Sequence, residues 1–195
     1  EGKLKVKHIN YTTILALAYD MHISGYNTKA VNRIRLWAAK APIDFDMALF
    51  SRGEYLKASE NKALAESISK VLYPADNHIE GKALRLKQQY FFVSASIQSI
   101  IKNHIQFNEN LDNLAEEVAI HINDTHPTLC IPELMRILID VYDYDWDKAW
   151  KIIKNTISYT NHTVMAEALE KWPQHLIETH IPRIYQIIAE MNRRY

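Results

Sequence analysis

The chain has 195 residues, 48% of them hydrophobic and 24% charged, with 23 basic side chains balanced by 23 acidic ones. That length supports one solid core or part of a larger one, and the composition is that of a folded globular protein rather than a disordered chain. Zero net charge gives no field to draw phosphate backbones or anionic lipid, which argues against nucleic acid and membrane partners, and Cys130, the single cysteine, suits a buried thiol in a reducing cytoplasm.

In chain order, Lys3 to Ile9 alternates polar and apolar residues and Tyr11 to Tyr19 is a β-rich run, so two opening strands are predicted. No turn or cap precedes them, as expected where a chain begins inside a domain. Val31 to Lys40 stays open between helix and strand: Val31, Ile34, Trp37 and Ala38 fit a helical face, while Gly25 and Pro42 bound a strand equally well. Asp44 to Val71 carries helical spacing interrupted at Gly53, with Leu64, Ile68, Val71 and Leu72 along one face after Asn61. A turn rich in Pro, Asp, Asn and Gly follows at Tyr73 to Gly81. Lys82 to His104 then predicts a long helix that buries Leu84, Tyr90, Phe91, Ile97, Ile100 and Ile101.

Val118 to Ile122 reads as a short strand running into the polar segment NDTHP. Two helices follow, Pro132 to Val141 and Trp146 to Lys154, the second capped by Asp145, and then a strand from Thr156 to Tyr159 that ends in TNHT. This is a βαβ pattern with parallel strands. Ligands of open α/β sheets bind just beyond the carboxyl ends of the strands, so Asn123 to His126 and Asn161 to Thr163 are expected to converge on one crevice. Ala166 to Trp172 and His175 to Arg194 read as amphipathic helix, interrupted at Pro173 and Pro182.

Several chemistries fit poorly. His121, Asp124 and His126, with His162, weakly resemble metal ligands, since His121 lies on a strand and Asp124 and His126 on the following loop, which does not assure simultaneous coordination. The glycines, Gly2, Gly25, Gly53 and Gly81, are too far apart for a phosphate loop. Neither a nucleophile elbow nor a serine beside a histidine is present. Asp76 and Asp124 are carboxylates of the expected site loops, but spacing fixes no separation for them, which leaves paired-carboxylate hydrolysis a minor reading. What remains is a set of short polar side chains, Asp76, Asn77, Asn123, Asp124, His126, Asn161 and His162, with Tyr73 near them in sequence. These groups suit sugar hydroxyls and a pyranose resting on an aromatic face, and equally suit Asx turns and helix caps.

Six stretches carry a resemblance: RLWAAKAP at Arg35 to Pro42, VLYPADN at Val71 to Asn77, GKALRLKQQYFFVSAS at Gly81 to Ser96, NDTHPTLCIPELMRILID at Asn123 to Asp140, DWDKAW at Asp145 to Trp150, and YTNHTVMAEALEKWP at Tyr159 to Pro173. In order and spacing they resemble the α-glucan phosphorylases of the glycogen, starch and maltodextrin type. The resemblance implies that residues 1–195 are the middle and later part of that family's N-terminal domain, helix-rich α/β and one of two Rossmann-like domains of a GT-B glycosyltransferase fold. It also makes Val31 to Lys40 a strand. The implied reaction is reversible phosphorolysis of an α-1,4-glucan to glucose 1-phosphate, with pyridoxal phosphate as cofactor and a homodimer as the assembly. The cofactor's lysine and the residues that hold the substrate phosphate are not in this chain.

By the same resemblance, His162 corresponds to the histidine that contacts the glucosyl 6-hydroxyl and whose backbone steadies developing positive charge, with Thr163 beside it. Asp76 and Asn77 resemble the gate loop, and Tyr73, Arg85, Asp124 and His126 resemble residues lining the oligosaccharide subsites. The sequence departs from the pattern at Ala75, where the gate loop usually has Asn, and at Ala166, where the family has Pro. It also departs at His78, where regulated animal enzymes carry an aromatic residue of an inhibitor site, and at Lys102 and Asn103, where those enzymes carry paired arginines for nucleotide activation. An unregulated enzyme is the expectation, with a carbohydrate-binding or regulatory module that keeps the fold without the chemistry as the alternative.

Overall fold

The computed structural model describes residues 5–162, 164–166 and 169–195. The chain divides into two compact units, one covering His8–Phe91 and the other covering Phe92–Tyr195 with the N-terminal residues through Lys7.

The first unit is built on an antiparallel hairpin, β1 (Leu15–Ser24) and β2 (Val31–Lys40), in a register running from Ser24 opposite Val31 to Leu15 opposite Lys40. Period-two alternation puts Leu15, Leu17, Tyr19, Met21 and Ile23 on one face, while Asp20 on the other grips its cross-strand partner Arg35 through hydrogen bonds of 2.7 and 2.6 Å. Helix α1 (Met47–Ser51) starts at Asp46, whose carboxylate accepts the Ala48 and Leu49 N–H groups, and the chain leaves it through Gly53 at a φ of 82°, where a side chain would be strained. Helix α2 (Lys57–Lys70) buries Ala58, Ala65 and Ile68 and packs along β2. The Ser69 hydroxyl accepts the Ala39 N–H at 2.8 Å, and Lys40 meets Glu66 at 2.7 Å. The first satisfies one backbone N–H on the outer edge of β2, and the second ties the strand's end to α2 through side chains.

Helix α3 (Ile79–Ile105) spans the boundary between the units. Its second half opens the second unit, with Val93, Ala95, Ile97 and Ile101 buried. After the short helix α4 (Leu114–Glu117), strand β3 (Ile120–Asn123) pairs in parallel with β4 (Ile157–Thr160), from Ile120 opposite Ile157 to Asn123 opposite Thr160. The crossover between them holds α5 (Cys130–Arg136), a π turn over Ile137–Val141, and α6 (Trp146–Thr156). Asp145 caps α6 by accepting the Lys148 N–H at 2.8 Å. Helices α7 (Gln174–His180) and α8 (Pro182–Arg194) follow, with Pro182 at the first helical position of α8.

The core of this unit combines Leu134, Met135, Ile137 and Leu138 with Ala149, Ile152, Ile153, Ile184 and Ile187. Glu133, fully buried, is held by the Arg136 guanidinium at 2.7 and 2.8 Å and by the Ser94 hydroxyl at 2.7 Å. A buried carboxylate is tolerated only when paired and hydrogen-bonded in this way. Asp140, on the π turn, takes a two-pronged contact of 2.8 and 2.7 Å from Arg183 of α8.

The parallel βαβ unit and the Asp145 cap match the sequence expectation, and Val31–Lys40 is a strand. Other expectations need correcting. Residues 5–9 of the predicted first strand form no strand, and the second begins at Leu15 and runs to Ser24, because a strand exists only where another strand accepts its ladder. In α3 the fully buried leucine is Leu86, while Leu84, Tyr90 and Ile100 are half-buried. On α2, Ile68 is buried but Leu64 is 61% exposed, because the contact face is the one carrying small Ala58 and Ala65, and Val71 and Leu72 lie past the helix end and are exposed. Leu169–Trp172 is not helical, and Glu167 and Ala168 lie outside the described residues.

Candidate functional site

Two groups of the expected residues are brought together, one in each unit. In the Phe92–Tyr195 unit, the β3 and β4 ladder continues one residue past its end, as the Asp124 N–H donates to the Thr160 carbonyl at 3.1 Å. This keeps Asn123–Asp124 and Asn161–His162 side by side at the carboxyl ends of two parallel strands. His162 is exposed, and its Nε2 lies 2.6 Å from the Asn123 side-chain oxygen.

Asp124 sits at a φ of 70°, a left-handed conformation that Asp accepts more readily than most residues because its side chain can bond locally. Its Oδ1 accepts the N–H of the next residue, Thr125, at 2.6 Å, while Oδ2 faces His126 Nδ1 at 4.0 Å. Asp124 therefore shapes the turn and keeps one oxygen on its open side. His121 turns away from buried Ile122 and bonds the Thr160 hydroxyl. Thr163 lies outside the described residues.

In the His8–Phe91 unit the turn before α3 is organised around Arg85, one and a half turns into the helix. Its guanidinium lies 5.5 Å from the Tyr73 ring centroid, and its Nη1 is 3.8 Å from Asp76 Oδ2. Tyr73 has a φ of 53° and is exposed, as are Asp76 and Asn77. His78 caps α3, with Nδ1 accepting the Gly81 N–H at 3.0 Å. The Gln88 amide donates to the Val71 carbonyl at 2.6 Å and holds the other end of the turn. Gly81 is needed for closure: a Cβ there would lie 1.8 Å from the Ala75 carbonyl oxygen.

Sequence reasoning missed the structural roles of His78, Gly81 and Thr160. Histidine is not a preferred cap, so His78 carries no signal, and the approach of Ala75 to Gly81 follows only from the folded turn. Asn123 is legible as a polar residue at a strand end, but its pairing with His162 is not.

Among the described residues no cluster of three or more His, Cys, Asp or Glu side chains could hold a metal ion. Pyridoxal phosphate fits no better: Gly25 serves the hairpin turn, Gly53 the exit of α1 and Gly81 the turn against Ala75, so the described glycines offer its phosphate no cradle. Burial pushes the Cys130 thiol up to about 12, which leaves it protonated and inert. No helix among the described residues is long and apolar enough to cross a membrane.

The chain is mixed α/β, with polar side chains at the carboxyl ends of the parallel β3–β4 pair in one unit and an exposed aromatic ring and carboxamide on the Tyr73–Asn77 turn of the other. The family model for carbohydrate phosphorylases matches residues 1–195, and the chain belongs to that family. It is 50% identical to the muscle form of glycogen phosphorylase from Oryctolagus cuniculus and to that from Homo sapiens, each over 97% of this chain. It is 48% identical to the brain form from Homo sapiens over 97% of this chain. The chain spans about a quarter of these curated relatives, 23% of the muscle forms and 24% of the brain form.

Proposed function

We propose that this chain is the middle and later part of the N-terminal domain of an α-1,4-glucan phosphorylase, which releases glucose 1-phosphate from a glucan by reversible phosphorolysis. The whole-chain match to the carbohydrate phosphorylase family carries this reading. The complete enzyme would have the two Rossmann-like domains of a GT-B fold, and the parallel β3–β4 pair with its crossover helices fits one of them. Pyridoxal phosphate would be held by residues outside this chain, and two copies of the enzyme would form a homodimer. A non-catalytic carbohydrate-binding module draws no support from relatives that are each named for phosphorylase.

In this reading the chain's residues bind and orient the glucan. His162 is the catalytic residue, holding the glucosyl 6-hydroxyl through its ring and presenting a backbone carbonyl to the positive charge that develops at the reacting carbon. Thr163 stands next to it in sequence. Tyr73 and Arg85 offer a stacked aromatic and cationic surface to sugar, supported by their 5.5 Å approach. Asp76 and Asn77 are exposed hydrogen-bonding groups on a gate that opens for substrate, and Asp124 and His126 line the acceptor subsites.

The test is His162→Ala in the full-length enzyme. Turnover is expected to fall about 10- to 100-fold, as the ring's hydrogen bond is lost and the backbone carbonyl facing the developing charge is displaced, with KM for maltoheptaose moving much less, because that charge exists only in the transition state. A lowered thermal midpoint with unaltered turnover per folded molecule would make His162 a structural residue and remove it from the site.

A further inference from the structure

We propose that Asn123 is a positioning residue for phosphorolysis, holding the His162 imidazole in one orientation and one tautomer by accepting its Nε2–H. The inference rests on the role of His162 proposed above. His162 lies two residues beyond the end of β4, on a loop, and an exposed imidazole there has free rotamers and an unfixed ring flip. Asn123 is the last residue of β3, locked opposite Thr160, with the Asp124 N–H to Thr160 carbonyl bond closing the ladder just past it. The 2.6 Å contact from Nε2 to the Asn123 oxygen thus ties a mobile ring to a fixed strand end.

A carboxamide oxygen carries no proton, so the facing Nε2 must supply one, and Nδ1 is left with a lone pair. That lone pair is what a sugar hydroxyl needs as acceptor. Neighbouring polar groups are turned to other partners: His121 bonds the Thr160 hydroxyl, and Asp124 accepts from Thr125 and faces His126. Both Asn123 and His162 are exposed, so the bond adds little to stability, and its consequence is directional.

The experiment compares Asn123→Leu and Asn123→Asp in the full-length enzyme, each with His162 intact and in the His162→Ala background. Asn123→Leu is expected to lower kcat about 10-fold or more, as loss of an orienting partner does, with KM for maltoheptaose within about 3-fold and an unchanged thermal midpoint. Asn123→Asp keeps an oxygen acceptor, but its charge favours the imidazolium, so it should stay within about 3-fold of the parent kcat only at the alkaline end of the pH profile and fall below it as pH drops. In the His162→Ala background Asn123→Leu should add less than about 2-fold, because its effect passes through the missing ring. The proposal is overturned if His162→Ala lowers kcat while Asn123→Leu does not, if the Asn123→Leu loss persists without His162, or if Asn123→Asp is as impaired as Asn123→Leu at every pH. A silent His162→Ala would instead sink the reading of His162, and this inference with it.

Discussion

Gly81 is where one atom decides whether the turn before α3 can close. The Ala75 carbonyl occupies the place of its missing Cβ, 1.8 Å from where that carbon would stand, and a backbone oxygen cannot swing aside as a flexible side chain can. Gly81→Ala should therefore displace the Tyr73–His78 turn and cost about 1–3 kcal/mol, as overpacking does, lowering the thermal midpoint and weakening maltoheptaose use by the full-length enzyme. Wild-type stability and kinetics in Gly81→Ala would mean that the turn accommodates a methyl group and is looser than described.

Cys130 makes the opposite point, that a nucleophilic atom can be silenced by burial. Its folded-state value of about 12 lies above the roughly 8.5 of an unfolded thiol. Because the value is raised, its stabilising contribution is complete below about pH 8.5 and is lost as pH climbs towards 12. At pH 8 native protein should react with an aromatic disulfide far more slowly than protein unfolded in urea, and equal rates would contradict the buried, protonated thiol.

At the scale of elements, helix α2 has two unlike faces. Ala58, Ala65 and Ile68 are its buried residues, the two alanines letting helix and strand approach, while Leu64 on the helix and Val71 just past its end remain exposed. We propose that the exposed side contributes to subunit contacts in the full-length enzyme, since a family homodimer needs a covered apolar surface. Leu64→Glu with Val71→Glu should then weaken the dimer by at least about tenfold in sedimentation equilibrium, with little change in the thermal midpoint of the monomeric fraction. An unaltered dimer would place the contact elsewhere.

The same elements explain what the sequence could and could not reveal. The βαβ unit was legible because short apolar runs ended in polar segments and Asp145 marked the start of α6. Strand β2 was not legible from periodicity, because Trp37 and Ala39 on its α2-facing side blur the alternation that Ile34 and Leu36 set on the other. Lys3–Ile9 has a strand's alternation, yet alternation says nothing of a pairing partner, and residues 5–9 have none. The π turn at Ile137–Val141 inserts an offset that a 3.6-residue period does not register. On α2, choosing large apolar residues for the buried face misplaced Leu64, because close packing selected alanine. The grouping of Asn123, Asp124 and His162 followed from strand polarity, whereas the individual roles of Tyr73, Asp76, Asn77, Arg85 and His126 came only through resemblance.

For the molecule as a whole, the sugar-type groups are present in this chain and a phosphate cradle is absent among its described residues. The purified 195-residue chain is therefore expected to bind no pyridoxal phosphate and to release no glucose 1-phosphate from maltoheptaose. A cofactor absorbance band that persists after dialysis would contradict that division of labour.

The most direct measurement of the central claim is the phosphate dependence of product formation by the full-length protein that contains this chain. With maltoheptaose and inorganic phosphate it should release α-glucose 1-phosphate, stop when phosphate is omitted, and slow about 10- to 100-fold in turnover when His162 is replaced by Ala. Maltoheptaose that binds yet yields no glucose 1-phosphate at any phosphate concentration would contradict the account and leave a carbohydrate-binding protein without the chemistry.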